Sequence, residues 1–378
     1  MARSGEHFLT LDGLRGIAAT AVVAHHGFDM LAPEIEQAHP WLAVDFFFCL
    51  SGFVIAHAYA GRLVSGMGIG TFLKLRIQRL APLYLLGMTM GVAFAVLLSI
   101  LGTGEHRMIA RHALLGVVGL IGLPAPPIYG LDVGIYPINN PSWSLLYEIL
   151  ANLAFALVWR RGWGGARQLL PSLAGAGILL IAVALHWPNL DHGASWQDAI
   201  VGVARISWSF PLGVLLYQIH KASWLRGVSL PAPILIIAAA ACLLMPTPPS
   251  LSTALELFAV IVAFPAIILF GAHTRSGPRL SKIEAWLGAI SYPLYITHYP
   301  LYLFYGSVVS RFARMSPEAL APWSGIGLIV LTHVFAYLAY RFYDLPARRW
   351  LAQRHEPDAR SHGKHRLNRS RKREASAP

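Results

Sequence analysis

Residues 80–101, LAPLYLLGMTMGVAFAVLLSIL, carry no charged side chain. A helix rises about 1.5 Å per residue, so this stretch spans the ~30 Å hydrocarbon core of a bilayer. Nine further apolar stretches have a similar length: 11–30, 41–60, 142–160, 168–187, 199–219, 229–246, 252–271, 284–306 and 323–343. The expected fold is therefore all-α, a polytopic membrane protein with ten transmembrane helices over residues 1–350. A shorter apolar run, 112–123, is too brief to cross and is expected to lie at the interface or to re-enter.

Composition agrees with that reading. Of the 378 residues, 56% are hydrophobic and 13% charged, against about 25% charged in soluble domains. Mean hydropathy is +0.53. A cytosolic enzyme, a disordered chain and a disulfide scaffold are excluded. Cys49 and Cys242 sit in separate apolar runs without metal-ligand spacing, so no metal site is expected.

The net charge of +12 reflects membrane topology rather than nucleic-acid binding. With the N-terminus inside, the inner segments hold 24 Lys and Arg and the outer loops only four. Positive residues stay on the cytoplasmic side, which places both termini there. Residues 351–378 form a basic cytoplasmic tail, expected to be disordered.

Ionisable groups inside spans are costly and mark functional candidates. They are Arg15, His25, His26, Asp45, His57, Glu148, Arg205, Glu256, His298 and His333. Eleven residues separate Arg15 from His26, about three helical turns, so both share one face and His25 does not. Counting residues from the span ends puts His26, Asp45, Glu148, Arg205 and His298 in the outer half of the membrane, within reach of one cavity. Arg205 is expected to pair with Asp45 or with Glu148. Ser291, Tyr295, His298 and Tyr302 form one stripe. In the inner loop before residue 80, Arg76 and Arg79 are spaced i, i+3 and point the same way. Two guanidiniums so placed make a phosphate clamp.

Six segments in order resemble the membrane-bound acyltransferase-3 family. They are LDGLRGIAA (11–19) with His26, VDFFFCLSGF (44–53), RIQRLAPLY (76–84), WSLLYE (143–148), Arg205 with Phe210 and Gly213, and ISYPLYITHYP (290–300). Two positions depart from the family pattern: Ala151-Asn152 follows Glu148, and Asp344-Leu345-Pro346 stands where Glu-x-Pro is usual.

The resemblance implies transfer of an acyl group, acetyl by preference, from cytoplasmic acyl-CoA to a hydroxyl of a cell-surface or exported carbohydrate. The protein would sit in the bacterial inner membrane, with the lipid bilayer, acyl-CoA and a glycan as partners and no permanently bound cofactor. Catalysis would fall to His26, Arg15 and Glu148. The CoA phosphates would be held by Arg76 and Arg79, and substrate by Asp45, Arg205, His298 and Trp143. His26 would act as general base or carry the acyl group itself. Arg15 would orient the donor or oppose charge on the thioester oxygen. Two rival readings are a secondary transporter with an intramembrane His/Glu proton relay, and an inactive glycan-binding partner.

Overall fold

The computed structural model describes residues 7–31, 38–102, 106–127, 134–224 and 227–353. The basic tail beyond residue 353 lies outside the described residues. Fourteen α-helices follow one another among those described. They are α1 (Leu9–His26), α2 (Phe28–Leu31), α3 (Ala43–Val64), α4 (Ile69–Gly102), α5 (His106–Leu120), α6 (Ser142–Arg160) and α7 (Ala166–His186). Next come α8 (Ala199–Lys221), α9 (Ala232–Leu244), α10 (Pro249–Phe258), α11 (Phe264–Gly271), α12 (Pro278–Ala313), α13 (Trp323–Ala339) and α14 (Leu345–Gln353). One π-helical turn, Ala259–Ala263, joins α10 to α11, and another, Tyr340–Asp344, joins α13 to α14. An isolated bridge between Gly134 and Ser195 is the only β pairing among the described residues.

Every one of the ten expected stretches is helical over most of its length. Among the described residues, seven helical segments are long and apolar enough to cross a membrane. The other three expected spans correspond to α1, α12 and α9. The first two carry polar groups along their length, and α9 has 13 residues. Helix α1 packs against α12, α9, α3 and α13, so its polar groups meet protein rather than lipid, the arrangement an intramembrane charge requires. The apolar run near 112–123 lies on α5, which packs along α4.

Two helix pairs set the frame. Helices α3 and α8 touch backbone to backbone, because a Cβ at Gly52 would lie 2.0 Å from the Phe210 carbonyl oxygen. One at Gly213 would lie 1.9 Å from that of Cys49. Helices α1 and α12 approach in the same way, a Cβ at Gly16 falling 2.8 Å from the Leu287 carbonyl oxygen. Small residues allow such close packing between membrane helices.

Proline shapes α12. Pro300 has no N–H to give the Ile296 carbonyl four residues earlier. The Asn139 side-chain amide donates to that oxygen instead, at 2.9 Å, so no buried acceptor is left bare.

Candidate active site

Between α1, α3, α4, α6 and α12 lies a cavity of about 560 Å³, within the usual range of ligand pockets. Arg15, Arg76, Arg79 and Arg348 all line it, with Asp12, Glu148 and Asp344 as counter-charges. Val44, Phe47, Phe48 and Val54 of α3 form an apolar wall.

Three of the four guanidiniums are already paired. Arg15 donates from Nη2 to Asp12 at 2.8 Å and to the Gly288 carbonyl at 2.9 Å, and from Nε to Ser291 Oγ at 2.8 Å. Arg76 donates to Glu148 at 2.9 Å, and the same carboxylate oxygen accepts from Ser51 Oγ at 2.8 Å. Arg348 is bonded to Asp344. Among the described residues Arg79 has no carboxylate partner. It is exposed to the cavity, and an unpaired guanidinium among three others makes a site for an anion.

Two hydroxyls that line the cavity, Ser144 Oγ and Tyr295 Oη, lie 2.7 Å apart. Next along α12 sits His298, whose Nδ1 lies 2.7 Å from the Tyr295 carbonyl oxygen. A carbonyl only accepts, so Nδ1 carries the hydrogen and Nε2 keeps the lone pair. That Nε2 is buried without a hydrogen-bond partner. The His26 ring centroid is 5.0 Å from that of His298 and 5.3 Å from Tyr299. Arg15 and His26 thus both meet α12, about three turns apart, whereas His25 turns to Trp41 and Asp191.

The depth count that grouped five residues in one outer cavity does not hold. Glu148 lines the guanidinium cavity with Arg76. Arg76 lies within α4, which begins at Ile69, not in a loop. Asp45 and Arg205 are turned to each other at 2.7 Å, with side chains 0% and 1% exposed. Arg205 also donates to the Trp41 and His192 carbonyls and stacks over Trp143 at 5.6 Å. Asp45, Arg205 and Trp143 do not line the cavity; they tie α3, α6 and α8 together. Arg15 is about 16 Å of helix from His26, too far to act on a bond that His26 reaches.

Asp12 and Arg348 were not singled out from sequence, whereas Glu256 and His333 were listed there without partners. Asp12 precedes Arg15 by three positions and Arg348 follows Asp344 by four, both helical spacings that permit ion pairs. Glu256 gathers three donors: His39 Nδ1 at 3.1 Å, Trp41 Nε1 at 3.2 Å and the Leu190 amide at 2.8 Å. It closes the loops on that side of the bundle. His333 bonds Thr20 at 3.0 Å, a bridge between α13 and α1.

The model of a family described as an acyltransferase domain matches residues 8–341. The chain belongs to this acyltransferase family. The match takes in three of the cavity's guanidiniums and the His26–His298 pair, while Asp344 and Arg348 fall just past its end. Protein 2 in picA locus of Rhizobium radiobacter is 37% identical over 190 residues, 47% of this acyltransferase and 95% of that protein. Peptidoglycan O-acetyltransferase OatA of Listeria monocytogenes serovar 1/2a is 24% identical over 381 residues, 92% of this chain and 56% of that protein. The acyltransferase therefore spans little more than half the length of that relative. No solved structure matches the chain.

Proposed function

We propose that this acyltransferase moves an acyl group, acetyl by preference, from cytoplasmic acyl-CoA to a hydroxyl of a cell-surface or exported carbohydrate. One observation carries the reading. A cavity ringed by four guanidiniums, one of them unpaired, lies at one end of α1, and a histidine pair lies at the other. The similarity to a peptidoglycan O-acetyltransferase supports a polysaccharide acceptor.

Arg79 binds the CoA phosphates, Arg76, already held by Glu148, adds its charge beside it, and Arg15, braced by its bonds to α12, orients the donor as it enters. The pantetheine arm runs along the apolar wall of α3 towards Ser144 and Tyr295. There the acceptor oxygen attacks the thioester carbonyl carbon while His26 takes the hydroxyl proton. The C–S bond breaks and the thiolate leaves with the electron pair. The His298 ring, 5.0 Å from that of His26, keeps a bare Nε2 and steadies the protonated His26. Glu148 holds Arg76 in place and does not touch the reacting atoms.

The ten helical stretches are read as ten spans of the bacterial inner membrane. Both termini are cytoplasmic by the distribution of Lys and Arg. The purified protein, given labelled acetyl-CoA and soluble peptidoglycan fragments, should release CoA and form an alkali-labile ester. Absence of both products across a panel of glycans would sink the proposal and favour a transporter.

A further inference from the structure

A hydroxyl that becomes an ester must lose its proton, and the structure offers that proton two ways out of His26. The inner way leads to His298. It stops there, because His298 Nδ1–H is spent on the Tyr295 backbone carbonyl, which cannot carry a proton onward to the donor cavity. The outer way is open. The His25 and His26 ring centroids lie 5.0 Å apart, close enough for a proton to pass between ring nitrogens directly or by way of one adjoining water. His25 Nε2 lies 3.4 Å from Asp191 Oδ2, and the Asp191 side chain is 44% exposed.

Resting on the acyl-transfer reading above, we propose that His26, His25 and Asp191 form a proton exit to the face opposite the guanidinium cavity. Each turnover then releases one proton on the acceptor side and consumes one on the donor side. The balance is complete. The acceptor R–OH gives its oxygen to the acyl carbon and its proton to His26, which passes it outward. The CoA thiolate leaves with the C–S electron pair and takes a proton from water on its own side, since a thiol of ordinary pKa, about 8.5, is protonated at neutral pH. The groups facing this row are few. Tyr299 and Tyr302 of α12 lie beside His26, Trp41 covers His25, and His192 and Arg205 act on Asp191. All the groups of the exit come from the last turn of α1 and the loop after α7.

The full-length protein, sealed in phospholipid vesicles, tests this. Acetyl-CoA is supplied on the Arg79 side and peptidoglycan fragments on the Asp191 side, with a pH dye in each compartment. One proton should appear on the acceptor side for each CoA formed. Asp191→Asn and His25→Gln should slow turnover several-fold and alter its pH profile. Imidazole added on the acceptor side should restore the rate, and Asp191→Glu should behave as the unaltered protein does. CoA formation without acidification of the acceptor side overturns the exit, because the proton then returns to the thiolate. So does an Asp191→Asn protein that turns over normally at every pH. If the unaltered protein forms no CoA, the acyl-transfer reading itself fails and the exit with it.

Discussion

The Arg76 guanidinium donates to the Glu148 carboxylate at 2.9 Å, joining α4 to α6 inside the cavity. Arg79, one turn further along α4, lines the same cavity without such a partner. The two arginines of the RxxR segment are therefore unequal: one is part of the wall, the other is available to a ligand.

Replacing Arg79 with Ala should weaken acyl-CoA binding roughly 10- to 150-fold, the value of a charged hydrogen bond of about 1.5–3 kcal/mol. Arg79→Lys should recover part of the loss, because an ammonium keeps the charge without the planar fork. Arg76→Ala should weaken the donor and also lower the melting temperature, because Glu148 loses its partner. Calorimetry with acetyl-CoA separates the cases, and normal binding by Arg79→Ala would remove it from the donor site.

His26→Ala should abolish transfer while membrane insertion and folding survive. His25→Ala should keep part of the activity, because its ring faces Trp41 and Asp191 rather than α12. CoA release by both variants at matched protein levels is the measurement. Equal, complete loss would show that the two faces of α1 are not functionally distinct.

Asp45→Asn or Arg205→Ala should each destabilise the fold by about 3–5 kcal/mol, because a buried charge is left without its partner. The double replacement Asp45→Leu with Arg205→Met should recover much of that stability. Thermal unfolding in detergent checks this. A double variant no more stable than the singles would mean the pair does more than fill the interface.

Burial alone would raise the Asp191 carboxyl pKa, but the hydrogen bond and charge of His25, with the charges of Arg205 and His192, hold it below the usual carboxylate value. A depressed carboxyl stabilises the fold above its unfolded pKa and loses that effect as pH falls through the folded value. Between about pH 7 and pH 3, Asp191→Asn should therefore flatten the acid decline of the melting temperature. An unchanged decline would show that the His25 contact is energetically silent.

Single cysteines at Ser65 and Gln197, in a background lacking Cys49 and Cys242, should differ towards an impermeant thiol reagent on intact cells. Gln197→Cys should react and Ser65→Cys should not. The reverse pattern would invert the orientation and put the guanidinium cavity on the outside.

The helices were legible because apolar runs of bilayer length leave little choice of fold. The shared face of Arg15 and His26 was legible because 3.6 residues per turn is a local rule. The partners of the charges were not. Counting depth from span ends assumes that helices start where apolarity starts, yet α4 begins eleven residues before its apolar run and carries Arg76 into the bundle. Glu256 could not be placed at all, because its three donors come from chain segments 66 to 217 residues away.

The backbone contacts at Gly52 and Gly213 have a mechanical consequence. Helices that touch without intervening side chains cannot slide or tilt independently, so α3 and α8 behave as one stiff beam, and α1 with α12 as another. The cavity wall is α3 on one side and α1 with α12 on the other. Widening it to admit a bulky donor should separate the beams and leave each unbent. Spin-label distances within a pair should then stay constant on adding acetyl-CoA while distances between pairs grow; a change confined within one pair would refute the idea.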